Sequence, residues 1–161
     1  MYIGFGRMPS THAYRTVSVV VEVLAATRTR AVLAKGWGVL PAKASTGDVH
    51  VVESAPHDGL FSSCSGVIHH VGASMTPAGL RWCRPTLVCP VFSDHPFWGR
   101  MVERIRVGPS PVPLSRLNVD ILNAASRELQ SKSLQDKAVA LSKNIPMEGG
   151  AETAADLIEA A

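Results

Sequence analysis

The sequence predicts an α/β domain, an open parallel sheet with helices on both faces. Three observations predict it. Short apolar runs (Tyr2–Phe5, Arg30–Lys35, Val49–Val52, Val67-Ile68 and Pro85–Cys89) alternate with stretches whose apolar residues recur at helical spacing. Between Cys64 and Gly99 the letters CSGVIHHVGASMTPAGLRWCRPTLVCPVFSDHPFWG read as one β-turn-α-β unit. The length, 161 residues, suits one core burying roughly 68–70% of the unfolded surface.

The elements follow in order. Tyr2–Phe5 is the first strand, closed by the turn Gly6-Arg7-Met8-Pro9-Ser10. Ser10 or Thr11 caps a helix whose apolar positions are Val17, Val20, Val21 and Leu24, ending near Thr27. Arg30–Lys35 is the second strand, followed by a loop in which Trp37 stands between Gly36 and Gly38. Val49–Val52 is the third, and its exit bends at Pro56 into a short helix through Phe61. Val67-Ile68 is a buried strand closed by His69-His70, Val71 to Thr76 turn the chain, Pro77–Trp82 begin a helix, and Pro85–Cys89 form the next strand. Phe97–Arg106 reads as helix and Val107–Pro113 as an extended Pro-rich linker. Ser115 then caps a helix to about Gln130, Ser133–Asn144 forms another, and Ala151–Ala160 a last one beyond Pro146 and Gly149-Gly150. The chain divides into a body, residues 1–145, and a helical tail, residues 146–161, of the same domain. No internal repeat or low-complexity tract interrupts it.

Composition narrows the function. The net charge of +3 comes from 16 basic and 13 acidic residues spread along the chain, too diffuse for nucleic acid. Cys64, Cys83 and Cys89 form no CxxC pair, and an odd count leaves a thiol unpaired, which suits a reducing cytosol. No window offers 18 uninterrupted apolar residues, and the N-terminus lacks a charged segment followed by an apolar core. The expectation is a soluble, cytoplasmic protein without a transmembrane segment. A start almost directly in a strand suits the second half of a larger protein.

Candidate sites cluster at the strand tips. The turn after Val67-Ile68 aims backbone N–H groups and the positive end of a helix dipole beyond the sheet, where an anion is the natural occupant. His69 and His70 are adjacent, and neighbours on a strand point to opposite faces, so they do not share a metal shell. One packs in the core and the other faces the cleft. Ser74 stands in the turn, but GASMT is not a GxSxG elbow. Trp37, Trp82 and Trp98 serve either as stacking platforms or as core and rim packing, Trp37 being the best functional candidate. Asp94-His95 follows a buried strand at its carboxyl end, where open α/β sheets bind ligands, and surface decoration is the alternative.

Five stretches carry a family resemblance. YIGFGRM (Tyr2–Met8), KGWG (Lys35–Gly38), PHDGLF (Pro56–Phe61), HHVGASMT (His69–Thr76) and FSDHPFWG (Phe92–Gly99) resemble the C-terminal half of sterol and antibiotic-type UDP-glycosyltransferases. The usual forms there are YIGFGSM, KGWGG, PHDWLF, HHGGAGTT and FGDQPFWG. The resemblance implies a Rossmann-like domain, the C-terminal one of a GT-B fold. It also implies a UDP-sugar as donor substrate, with no cofactor, and a hexose, glucose, passed to a sterol or other lipid or small-molecule hydroxyl. By resemblance the donor site comprises Gly6, Arg7, Trp37, Ala55, His57, His70, Gly72, Ser74, Met75, Thr76, Asp94 and His95. Ala55 would meet uracil through its backbone, and His70, the N–H groups of Gly72, Ser74 and Met75, and Thr76 the diphosphate. Asp94 and His95 would grip sugar hydroxyls.

The resemblance places the acceptor pocket and a catalytic histidine base in a separate N-terminal domain, so no catalytic residue is expected in this stretch. The isolated chain is accordingly expected to transfer no sugar. Four positions depart from the family pattern. Arg7 replaces serine and either pairs with phosphate or fills its space. Val71 replaces glycine, costing on the order of 1–2 kcal/mol if positive φ is required there. Met75 replaces threonine, and His95 replaces glutamine with its paired donor and acceptor. Gly59 also stands where the family has tryptophan. These departures support a rival reading, a relic or binding module that keeps the fold without binding a donor.

Overall fold

The computed structural model describes residues 1–6, 13–36, 47–70, 75–145 and 150–160. Five short strands, β1 (Tyr2–Gly4), β2 (Ala31–Ala34), β3 (Val49–Val52), β4 (Val67–His69) and β5 (Thr86–Val88), form one sheet in the order β3-β2-β1-β4-β5. Every pairing is parallel. The order reverses at β1: the chain first walks outward to β3, then returns to β4 on the other side. In open α/β sheets that reversal opens a crevice beyond the strand ends.

Side-chain alternation explains the layers. Ile3 is in register with Leu33 and Ile68, and Ile68 with Leu87. These four point to one face, where Val20, Val23 and Leu24 of α1 (Ala13–Thr27) and Leu122 and Leu129 of α5 (Val119–Leu129) close the main core. Tyr2 and Val67, on the opposite face, pack with Phe61 of α2 (His57–Phe61) and with Met75 and Ala78 of α3 (Met75–Arg81). A third cluster joins Val88, Leu80 and Val107 to Val102 of α4 (His95–Arg104). Leu141, in α6 (Lys132–Ser142), packs against it. The expected open parallel sheet with helices on both faces is therefore present.

Three element starts differ from the sequence reading. The helix after Pro113 is not capped by Ser115, which lies in a 3-10 turn, Leu114–Arg116. Leu114 and Leu117 both enter the core, and Leu117 stays extended (φ −61°, ψ 127°) to do so. The helix begins only afterwards, with Asn118 as cap accepting from the Ile121 N–H at 2.9 Å. Helix α3 starts at Met75 rather than Pro77, and α4 at His95 rather than Phe97, with Pro96 in its first turn. The expected caps Ser10 and Thr11, the loop around Trp37, and Pro146 lie outside the described residues. Helix α7 (Gly150–Glu159) buries no residue. All three cysteines are free thiols. Among the described residues no helix is long and apolar enough to cross a membrane.

Candidate functional site

Beyond the carboxyl ends of β1, β2 and β4 lies a cleft of about 520 Å³, lined by Tyr2, Gly6, Ala34, Gly36, Glu53, Ser54, Ala55, His57, His70 and Met75. It occupies the reversal point of the sheet, where open α/β sheets commonly bind ligands. Two glycines shape its floor. Gly6 turns at φ +62° and Gly36 at φ +55°, left-handed conformations that glycine adopts without steric cost. Their lack of side chains also admits close approach. A Cβ on Gly36 would collide with the Gly6 carbonyl oxygen, and one on Gly6 would collide with Cε1 of His70. The tips of β1, β2 and β4 are thereby drawn together.

The adjacent histidines part as strand alternation requires. His69 ends β4 fully buried, and burial, with the charges of His70, His57 and His95, drives its pKa down to about 3. It is a neutral core residue at any ordinary pH. His70 leaves the strand and lines the cleft. Burial first, and then His95, lower its pKa, while the Gly4 backbone acts in the opposite direction. Its Nδ1 is buried and has no hydrogen-bond partner among the described residues. Thr76 Oγ1, at the start of α3, is likewise buried and unpartnered. Polar atoms left so inside a fold cost free energy unless a ligand or water meets them.

The remaining site residues fall into three groups. Ala55, His57 and Met75 line the cleft with His70 and Gly6. His57 is seated by Tyr2, whose hydroxyl lies 3.4 Å from its Nε2, and stacks on Phe61 at 4.9 Å. Asp94 and His95 stand apart. Asp94 is exposed, with Oδ2 accepting from the Trp98 indole N–H at 2.8 Å, whereas His95 turns inward and meets the His70 ring at 5.5 Å. Arg7, Trp37, Gly72 and Ser74, together with Val71, lie outside the described residues. Sequence reasoning missed Gly36 and Glu53. Gly36 follows the tip of β2 as Gly6 follows that of β1, a signal present in the sequence. Glu53 sits at the rim, ion-paired with Lys35 at 2.8 Å because β2 and β3 run in parallel register from Ala31↔Val49 to Ala34↔Val52.

A parallel sheet with this order and a cleft at its reversal point, floored by two glycine turns and an imidazole, defines a Rossmann-like domain. No protein-family model matches the chain. Against curated proteins it is 36% identical over 158 residues to the sterol 3-beta-glucosyltransferase UGT80B1 of Arabidopsis thaliana, covering 97% of this chain and 26% of that one. UGT80A2 of the same plant is 37% identical over 151 residues, with 93% and 24% covered. A sterol 3-beta-glucosyltransferase of Sclerotinia sclerotiorum is 36% identical over 96% of this chain and 11% of its own. Among solved structures, the glycotransferase of kitacinnamycin superposes with a TM-score of 0.84 at 24% identity, over 98% of this chain and 42% of that one. The calicheamicin glycosyltransferase CalG4 gives 0.81 at 18%, over 99% and 42%. The chain is thus a homologue of one part of the sterol 3-beta-glucosyltransferases, with the fold of a GT-B glycosyltransferase domain. It spans about a quarter of the length of the plant relatives.

Proposed function

We propose that the cleft binds a UDP-sugar, and that the chain is the donor-binding part of a glycosyltransferase that moves glucose onto a sterol or other lipid hydroxyl. The observation that carries this reading is His70 Nδ1, buried at the reversal point of the sheet with no hydrogen-bond partner among the described residues. The names of the relatives supply the sugar and the acceptor class. In the reaction an acceptor oxygen bonds to the anomeric carbon, the bond from that carbon to the diphosphate breaks, and UDP leaves carrying the negative charge. His70 and the Thr76 hydroxyl are the groups that would hydrogen-bond the leaving diphosphate, with the Ala55 backbone and His57 bordering the base and ribose. Such donors favour the transition state because charge accumulates on the leaving group as the bond breaks. The acceptor pocket and the base that deprotonates the hydroxyl we assign to a separate domain, in the part of the relatives that this chain does not span.

Calorimetric titration with UDP tests the reading. A hydrogen bond to a charged group is worth about 1.5–3 kcal/mol, so His70→Ala should weaken UDP about ten- to a hundredfold. No binding by the parent chain at millimolar UDP would refute the donor site. The rival reading, a fold kept without donor binding, draws on the inward turn of His95, and that same outcome would favour it.

A further inference from the structure

We infer that His95 is a positioning residue for His70 rather than a grip on the sugar: its imidazole, anchored by the backbone of Val91, is the wall that holds the His70 ring at the cleft. The inference rests on the reading of the cleft as a donor site.

The geometry is specific. His95 is 7% exposed although it opens α4, and the residue before it, Asp94, is exposed. The Val91 N–H donates to His95 Nδ1 at 3.3 Å, and the Phe92 ring lies 5.1 Å away. With Nδ1 accepting, a neutral His95 carries its proton on Nε2, so one backbone contact fixes both tautomer and orientation. The ring then meets His70 at 5.5 Å with planes 66° apart, edge against face. On another side of His70 stands Gly6, where even a methyl group would collide with Cε1. His70 is therefore held between the turn after β1 and the first residue of α4.

This arrangement does not serve the hydroxyl grip that the resemblance implied. Such a grip needs a donor and an acceptor presented together to solvent, whereas His95 has spent Nδ1 on Val91 and buries most of its ring. The titratable groups about it are His70 and His69 at the β4 tip and Asp94 beside it, the last bonded to Trp98.

Two measurements separate this role from the alternatives. Ring resonances of His70 are followed against pH by NMR in the unliganded parent, His95→Phe and His95→Leu. In both variants the His70 midpoint should rise, because a neighbouring imidazole that opposed its protonation is gone. Calorimetry then compares UDP with UDP-glucose. His95→Leu should weaken both equally, about two- to tenfold, the worth of one aromatic pair, and His95→Phe, which keeps a ring but loses the Val91 bond, should weaken both by less. A His70 midpoint unchanged in both variants would overturn the inference. So would a loss confined to UDP-glucose, which is the signature of a sugar contact. If the parent binds neither ligand, the donor reading fails, and the His70 titration alone decides the role of His95.

Discussion

His69 gives the fold an acid limit that can be worked out in advance. Its pKa in the native state is about 3 because burial disfavours the imidazolium, while in the unfolded chain it returns to about 6.5. Between those values the unfolded state binds the extra proton, so stability rises with pH: it is fully present above the unfolded value and is lost as pH falls toward the native one. From pH 7 to pH 5 the unfolded imidazole charges almost completely and the native one not at all. That difference amounts to about 2 kcal/mol at roughly 1.4 kcal/mol per pH unit. Urea unfolding at several pH values measures it, as a midpoint shift of about 1 M if the slope is near 2 kcal/mol per molar. The control is His69→Met, an adaptable apolar side chain that does not titrate. His70, also lowered, acts in the same direction in both proteins. The variant should therefore lose about 2 kcal/mol less than the parent across this interval. Equal losses would mean that His69 does not sit neutral in the core.

Further outcomes follow from the same geometry. Gly6→Ala forces a side chain into positive φ and onto His70; it should destabilise the fold by about 1–2 kcal/mol or more and displace the His70 resonances, and unchanged resonances would count against the close contact. Helix α7 buries no residue, so its amides should exchange far faster than those of β4, and comparable protection would contradict this. Burial lifts the Cys89 thiol to about 12 and raises that of Cys64, whereas Cys83 is half-buried. Iodoacetamide on the native protein should therefore label Cys83 first, as peptide mass spectrometry would report.

Much of the fold was legible because parallel strands buried on both faces are short apolar runs with sharp punctuation. Ala31–Ala34, Val49–Val52 and Thr86–Val88 fall inside the expected runs. The fate of the two histidines was legible for a simple reason: a period of two sends neighbours to opposite faces. What stayed hidden depends on partners distant in sequence. Ser115 and Asn118 are both competent caps, and the choice between them is made by Leu114 and Leu117 entering a core built from β1, α1 and α5. Glu53 joins the cleft rim only because β3 pairs with β2 in one register. The meeting of His95 with His70 is a contact between the β4 tip and α4 that no local pattern encodes.

The two histidines then set opposing demands on pH. Nearer the cleft, a proton on His70 would strengthen its attraction for a diphosphate, yet burial and the neighbouring His95 both hold that proton off. On the donor-site reading, His70 at neutral pH therefore meets the diphosphate through hydrogen bonding rather than through charge. Deeper in, a proton on His69 has no such use and only costs the fold. Acidification thus improves the ligand's electrostatic partner while it undermines the sheet that positions it. Glu53 at the rim cannot offset this, since Lys35 already pairs with it. On the donor-site reading, UDP affinity should rise as pH falls below neutrality, until unfolding driven by His69 removes the site. The two processes separate experimentally, because His69→Met should extend the range over which affinity keeps rising.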